Sequence, residues 1–313
     1  MYDSGMRSWG NVMESLGYFF KTYGVKLDLL TLQISVMLIV TSIGMSATWG
    51  EATFLFRRPA LLLRSVVARN VIVPCVAIAV IRAFTFHPAV EITIAVLAAT
   101  PVPPLLPTSL LRAGGRRCYV LGLLVSQAVL AIVFVPLIVR VMDTLFPADL
   151  DFSVREAAAI VSKTILVPLV TGLLLGQIFG DKIRRIGPII AKAGNVLLIC
   201  AALPLLLVAW GALRTLVGEG VLLGLSIMVI ADTTTGHLLG GPDENDRTVL
   251  ALAASAAHPG VAIAIANDFP DQRRLVAGAV LIYLIVRTVL IIPYVRRRRR
   301  SGLRGGAHAP ASA

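Results

Sequence analysis

Two stretches of the chain repeat each other at a distance of 157 residues, and each follows an apolar helix that helix-breaking residues interrupt. Residues 100–140 match the later stretch faintly but in register. The matching positions are Arg116 and Arg117 with Arg273 and Arg274, and Pro136 with Pro293. Interrupted helices at corresponding positions of two halves are typical of the binding sites of membrane transporters. The repeat therefore predicts a transporter built from two related halves.

The composition places nearly the whole chain in a membrane. Hydrophobic residues make up 57% of the sequence and charged residues 15%, with a mean hydropathy of +0.85, which is typical of a polytopic membrane protein. A span needs about 20 largely apolar residues. The sequence predicts an all-α protein with about nine transmembrane helices, near residues 29–48, 60–83, 89–111, 118–142, 157–179, 187–210, 219–240, 247–267 and 274–295.

The basic residues set the expected orientation. The net charge of +12 could suggest nucleic acid, but a cluster of arginines follows the last span, where such residues usually fix topology. With the C-terminus in the cytoplasm, the inner side holds 15 basic residues and the outer side eight. We therefore expect no nucleic-acid partner, a plasma (inner) membrane location, an outer N-terminus and a cytoplasmic C-terminus.

The repeat also predicts the domain organisation. A shift of 157 residues moves the third span onto the eighth, five spans later, so that its direction reverses and the halves are inverted. The expected parts are an N-terminal amphipathic segment (1–28), a first repeat with spans one to four (29–142), a second repeat with spans five to nine (143–295) and a basic tail (296–313).

The third and eighth spans are predicted to be broken helices. A continuous helix is implausible where prolines remove backbone donors and clash with earlier carbonyls. The breaks are expected at Pro101, Pro103, Pro104 and Pro107, and at Pro259-Gly260. Free backbone groups at membrane depth are tolerated only inside protein or beside a wet cavity. A half-helix starting at about Val261 would present its amides and dipole to an anion.

With these features the chain resembles the bile acid:sodium symporter superfamily of secondary transporters. The resemblance rests on IGMSATWGEATFLFRRPALLL, on the broken third span with its RAGG turn, and on DRTVLALAASAAHPGVAIAIA. It covers the chain from about residue 29. It implies a panel domain of spans one, five and six, and a core domain of the other six spans in which the two broken helices cross.

The departures from that family argue against sodium coupling. Sodium-coupled members carry a Ser-Asn pair in the first broken helix, and a Glu followed four residues later by Gln in the second. The matching positions here are Leu106, Pro107, Ala253 and Ala257, whose side chains offer no oxygen to a hard cation. A shifted register would leave the hydroxyls of Thr100, Thr108, Ser109 or Ser255 as ligands, but no carboxylate in the eighth span.

Four polar residues inside the spans are candidates for coupling or charge relay. Asp232 lies well away from a predicted span end, and an intramembrane carboxylate is a functional hypothesis by default. Arg287, at a similar depth, could pair with it, as a structural brace or in a functional role. His258 adjoins the second break and could carry a proton or be a packed polar residue. Arg69 could attract an anion, pack or snorkel.

The sequence therefore predicts a secondary transporter of a small organic anion that works by alternating access. Proton coupling or facilitated exchange is expected rather than sodium symport, with no cofactor and no metal site. The expected substrate-binding residues are Thr100, Pro101, Pro104, Thr108, Ser109, Ser255, His258, Pro259 and Gly260.

Other functions stay open at this point. A membrane-embedded sensor or enzyme without transport activity is the main alternative, and a channel is a weaker one. Intramembrane hydrolases need a carboxylate pair, a metal triad or a serine with its base, and the sequence has no HExxH pattern. The sequence itself does not name the substrate.

Overall fold

A computed structural model describes residues 30–100, 102–103, 110–111, 113–145, 159, 162–216, 218, 220–258 and 272–306. The regular structure within these ranges is helical. In chain order the helices are α1 (Leu30–Ser46), α2 (Trp49–Ala52), α3 (Pro59–Ala83), α4 (Pro88–Ala99), α5 (Arg117–Leu145), α6 (Ser162–Ile178), α7 (Asp181–Leu216), α8 (Val221–Leu239), α9 (Glu244–Ala254) and α10 (Arg273–Gly306).

Several of these helices have the length and composition of membrane spans. Within the described residues, four apolar segments are long enough to cross a bilayer, namely Pro59–Ala83, Arg117–Ile138, Val221–Leu239 and Arg274–Arg298. Helices α1, α4 and α6 are apolar but shorter. The helices fall where the sequence predicts spans, which confirms a helical membrane protein. The count of nine spans and the inverted repeat stay predictions.

The two half-helices α4 and α9 lie in the core. Every residue of α4 from Ile92 to Ala99 is buried, and so is every residue of α9 from Thr248 to Ala254. A helix that is apolar on all sides must be covered on all sides. Helix α4 packs against α3, α5 and α10, whereas α9 packs mainly against α8. Helices α4 and α9 are therefore enclosed by protein over these stretches, which is what the predicted breaks would require at membrane depth.

Both half-helices end before the prolines that follow them. Helix α4 stops at Ala99, and Thr100 adopts an extended conformation before Pro101, because a residue that precedes proline is disfavoured in the helical region. Helix α9 stops at Ala254. The helix therefore ends before Pro259-Gly260, where the sequence predicted the interruption, and these two residues lie outside the described part of the chain. The helix ends earlier because side chains from α10 bind its last carbonyls, as described below.

Helix α10 also differs from the predicted bounds of the ninth span. Helix α10 continues past the expected end of the ninth span at residue 295 to Gly306, so the basic tail begins as a helix. Within this extension Arg298 donates to Thr248 Oγ1 over 2.9 Å and to Glu244 Oε2 over 3.1 Å. Arg298 thus holds the start of α9, in addition to any role of the arginine run in topology.

Close backbone packing fixes α8 against α9. A Cβ atom on Gly236 would lie 2.5 Å from Leu250 O and 2.6 Å from Ala251 Cα. Only glycine permits this approach. Because residues four apart lie on the same face of a helix, Asp232 faces α9 one turn from Gly236. The contact therefore aims the carboxylate of Asp232 towards the end of the broken helix.

Glycines also bring α1 close to α6 and α7. The backbones of α1 and α6 meet at Gly44, Gly172 and Gly176, where an added Cβ would overlap main-chain atoms of the other helix. On α7, Gly187 accepts a hydrogen bond of 2.8 Å from Ser42 Oγ. These helices are the first, fifth and sixth predicted spans, whose grouping as a panel stays a prediction that this packing supports.

A polar corner joins α2 to the start of α5. Glu51 forms a capping box with Thr48 and accepts from Arg117 Nε over 2.7 Å. Burial raises the pKa of Glu51, but hydrogen bonds from Thr48 and Arg117 and the charge of Arg117 outweigh it, so that this pKa lies below its usual value. The ionised form of Glu51 is therefore bound more favourably in the folded state than in the unfolded chain.

We expect Gly236→Ala to lower the Tm of the purified protein by about 3–10 °C, because the new methyl group overlaps main-chain atoms of α9 and overpacking costs about 1–3 kcal/mol. Thermal unfolding in detergent measures the shift. Gly218→Ala is the matched control, since a Cβ there meets no atom within 4 Å. Equal Tm values for the two variants would contradict the packing described.

The pKa of Glu51 predicts a loss of stability in acid. Its contribution is present above the ordinary glutamate pKa of about 4.3 and is lost as the pH falls through the lowered pKa of the folded state. Melting curves of wild type and Glu51→Gln should therefore differ most near neutral pH and converge in acid. A difference that is constant with pH would show that Glu51 does not stabilise the corner through its charge.

Candidate functional site

The end of α4 and the segment that follows α9 are joined by a hydrogen bond. The backbone amide of His258, in the non-helical segment after α9, donates to Thr100 Oγ1 at the end of α4 over 3.1 Å. Both residues are buried, with exposures of 4% and 2%. Thr100 also donates its hydroxyl to Leu97 O over 2.8 Å. The structure thus brings together two of the predicted substrate-binding residues, although they lie 158 positions apart.

Arg69 binds the carbonyl end of α4. Its Nη1 donates to Ala98 O over 3.2 Å, and its Nη2 donates to Thr100 O. The side chain is 2% exposed. Arg69 lies in a π-helical turn, Val67–Ile72, within α3, and such turns are frequent at functional sites because they reset the direction of side chains. Arg69 therefore packs inward and does not snorkel.

Arg287 and Tyr283 bind the carbonyl end of α9 in the same manner. Arg287 Nε donates to Ser255 O over 2.6 Å, and Arg287 Nη2 donates to Leu252 O over 3.1 Å. Tyr283, one turn earlier on α10, donates its hydroxyl to Ser255 O over 2.7 Å. These donors satisfy carbonyls that the end of a helix leaves without partners, which explains why α9 stops at Ala254.

Asp232, on α8, lies beside these two helix ends. One of its carboxylate oxygens has no hydrogen-bond partner among the described residues. The residue is 1% exposed, and its Oδ1 has no partner among the described residues. Among the described residues, Arg69 is near enough for its positive charge to act on Asp232. Burial of a carboxylate that lacks a full set of partners is costly, and a residue of this kind inside a membrane span is a functional candidate.

The expected pairing of Asp232 with Arg287 was wrong. No ion pair within 4.0 Å joins them in the described part of the chain, and Arg287 is occupied by the carbonyls of Leu252 and Ser255. A guanidinium is a fork of donors, and the exposed carbonyls of a helix end compete for it. The charge that acts on Asp232 comes from α3, through Arg69.

Unlike the hydroxyl of Thr100, those of Ser255 and Thr233 bond only to their own helices within the described residues. Ser255 Oγ donates to Ala251 O over 3.1 Å, so the residue contributes its carbonyl, not its hydroxyl, to the crossing. Thr233, next to Asp232, donates to Val229 O over 2.7 Å. Such bonds to the preceding turn are common for serine and threonine, and they leave the charged groups as the distinctive chemistry of the site.

The far end of α9 is held by an ionic cluster. Arg116, in the turn before α5, donates Nε to Asp246 Oδ1 over 3.0 Å and Nη2 to Asp246 Oδ2, and it lies 3.2 Å from Asp243 Oδ2. Asp243 also caps α9 by accepting from Asn245 N over 2.8 Å. Acidic groups at a helix start and basic groups at its end both match the helix dipole, so α9 is fixed at both ends.

Most of the remaining predicted site residues lie outside the described residues, namely Pro101, Pro104, Thr108, Ser109, Pro259 and Gly260. The predicted half-helix from about Val261, the N-terminal segment 1–28 and the alignment positions Leu106 and Pro107 lie outside them too. Their roles stay predictions. Within the described residues, no group of three or more metal-ligating side chains is present.

Two polar features of the core were missed from the sequence. Tyr283 was not singled out, although a tyrosine in the middle of an apolar span usually has a buried partner for its hydroxyl. The second is an amide pair in which Asn70 Nδ2 donates to Gln127 Oε1 over 3.1 Å and joins α3 to α5. Gln127, an amide within a long apolar stretch, was the signal that could have found it.

We expect Thr100→Val to destabilise the protein by about 1–3 kcal/mol, because it removes the acceptor of His258 N–H while it keeps the side-chain volume. Thermal or denaturant unfolding measures the loss. Thr233→Val is the matched control, since that hydroxyl bonds to its own helix. A Thr100→Val variant as stable as Thr233→Val would contradict a structural joint between the breaks.

More than half of the chain matches a known protein family. A family model described as Sodium Bile acid symporter family matches residues 33–213, from α1 to near the end of α7. No curated protein matches the chain in a sequence comparison.

Proposed function

The chain belongs to the sodium bile acid symporter family, and on that basis we propose that it is a proton-coupled secondary transporter of a small organic anion. The family and the apolar helices make it a multi-pass membrane protein of the transporter type. The proposed substrate site lies at the crossing of the two broken helices, where Thr100, Ser255 and His258 meet. The observation that carries the proposal is a buried charge cluster at that crossing.

The charge balance of the cluster supports an anionic substrate. Arg69 and Arg287 contribute two positive charges, and the ends of α4 and α9 contribute about half a negative charge each. With Asp232 ionised and His258 neutral, the crossing is close to neutral. When Asp232 takes up a proton, the crossing gains about one positive charge. An organic anion would then bind more strongly, because opposite charges attract strongly where water is excluded.

Asp232 is therefore the proposed proton carrier. Asp232 is buried, and one of its oxygens has no hydrogen-bond partner among the described residues, so this carboxylate is suited to take up a proton and lose its negative charge. Binding of the proton and of the anion would favour each other, and by linkage the effect is reciprocal. This is the condition for symport, in which an inward proton gradient drives the anion. Without the proton step the same site would catalyse only facilitated exchange.

The described half of the second break supports the absence of sodium coupling. Ala253 and Ala257, at the positions that carry the carboxylate and the amide in sodium-coupled relatives by resemblance, are buried at 1% and 5% exposure. They offer no side-chain oxygen to a hard cation. The same stretch of backbone is bound by Arg287.

We further propose the inner-membrane location and the cytoplasmic C-terminus that the basic residues predict.

The first experiment identifies a substrate and its coupling. A panel of organic anions is screened for those that raise the Tm of the purified protein, since a ligand of the native state stabilises it. Uptake of a labelled hit into proteoliposomes should follow an inward proton gradient and should be unchanged when choline replaces sodium. Uptake that requires sodium would contradict the proposed coupling, and chemical conversion of the anion would indicate an enzyme.

Asp232→Asn separates coupling from transport. We expect this variant to lose uptake driven by the pH gradient by about tenfold or more, because its amide cannot carry the proton. Exchange of labelled for unlabelled anion across the membrane should continue. Thr233→Val, which changes the neighbouring residue, should keep both activities. If Asp232→Asn accumulates the anion as wild type does, another group carries the proton.

A further inference from the structure

The carbonyl ends of both broken helices are occupied by arginines from neighbouring spans. We propose that Arg69 and Arg287 are resident cations that take the place which a mobile coupling cation would otherwise have to fill at the two breaks. The inference rests on the proposed function for its meaning in transport, but its central claim concerns cation binding and is tested without a substrate.

The need for a cation follows from the geometry of a helix that ends inside the membrane. The last four carbonyls of a helix have no partner within it, and the end carries about half a negative charge. Bulk water does not reach an enclosed core to neutralise them. In transporters with broken helices, such carbonyl ends bind the coupling ions. A chain that has no mobile cation at these ends must supply another positive donor.

The guanidinium of Arg287 satisfies this requirement for α9. Its Nε and Nη2 bind two carbonyls, Ser255 O and Leu252 O, at 2.6 and 3.1 Å. These carbonyls belong to the last turn of α9 and its C-terminal cap. Two donors of one planar group thus bind two carbonyls that lie three positions apart along the chain, which suits the fork of an arginine and not the single point of a lysine. Tyr283 adds a neutral donor to Ser255 O.

Arg69 supplies the positive donor that the end of α4 requires. Two of its nitrogens bind Ala98 O and Thr100 O, and the side chain comes from α3, on the N-terminal side of the broken helix. Arg287 comes from α10, on the C-terminal side of the other one. The two arginines are not at matching positions of the 157-residue repeat. The two helix ends are therefore bound by arginines that come from different positions in the chain and from different helices.

The surrounding charges favour a charged donor over a neutral one at these carbonyls. Asp232 and the two helix ends all place negative charge at the crossing. Arg69 is the cation whose charge acts on Asp232, and Arg69 and Arg287 are the basic side chains bound to the carbonyls named above. If Arg287 were only a brace, a neutral hydrogen-bond donor such as glutamine could replace it. If it is a resident cation, the replacement must carry charge.

Removal of Arg287 should therefore create a site for an added cation. We expect Arg287→Ala to lower the Tm of the full-length protein by about 5 °C or more, since two charge-assisted hydrogen bonds are lost. Millimolar guanidinium chloride should restore part of this loss, whereas equal choline chloride, which has no N–H donor, should not. Arg274→Ala, at the exposed start of the same helix, is the matched control and should show neither effect.

Two further variants keep the test decisive if Arg287→Ala cannot be purified. Arg287→Lys retains the charge and Arg287→Gln retains neutral donors, so the Tm should fall in the order wild type, Lys, Gln. A Gln variant as stable as the Lys variant would overturn the proposal. So would guanidinium stabilisation of the Arg274→Ala control equal to that of Arg287→Ala, or a specific rise in the wild-type Tm with sodium chloride over choline chloride.

Transport adds a separate readout. With an anion from the thermal screen, guanidinium should restore uptake to Arg287→Ala by about tenfold over choline and leave Arg274→Ala unchanged. If wild type moves no anion at all, the proposed function fails, whereas the thermal rescue still tests the resident cation. If wild type transports without sodium and guanidinium rescues neither stability nor uptake of Arg287→Ala, only the resident cation is refuted.

Discussion

The structure depends on the binding of backbone carbonyls by arginine at the two places where a helix ends inside the apolar core. A helix end surrounded by apolar side chains would be too costly without donors of this kind. Once Arg69 and Arg287 supply them, α4 and α9 can stop short of the prolines that follow. The amide of His258 can then bond to Thr100, which joins the two halves of the site.

The other contacts hold these arginines and helix ends in register. Gly236 brings α8 against α9 and so directs Asp232 towards the crossing. Arg116 and Arg298 hold the start of α9, and the π-helical turn in α3 places Arg69 beneath Thr100 and Asn70 beside Gln127. The charge cluster is thus positioned by rigid helices. A change of one charge at Asp232 would therefore change the electrostatic potential at both arginines and at both helix ends.

Much of the helical layout could be predicted from the sequence, because apolar runs and prolines act locally. The prolines after Thr100 predicted the first break. The burial of Asp232 followed from its place in a predicted span. The partners could not be predicted. Arg287 and Asp232 lie at similar depth, and sequence gives no rotation of α10 relative to α8 and α9. Only the structure shows that Arg287 turns to the carbonyls of Leu252 and Ser255. For the same reason the sequence predicted an end of α9 later than Ala254, because the carbonyls at this end are bound by Arg287, 32 residues away from Ser255.

The view that arginines permanently fill the cation positions is tested most directly by equilibrium binding of radioactive sodium to the purified wild-type protein. A scintillation assay with and without excess unlabelled sodium measures saturable binding. Two resident guanidinium groups predict no saturable component, at any pH at which the protein is folded. Saturable binding that approaches one or two sodium ions per chain would contradict it.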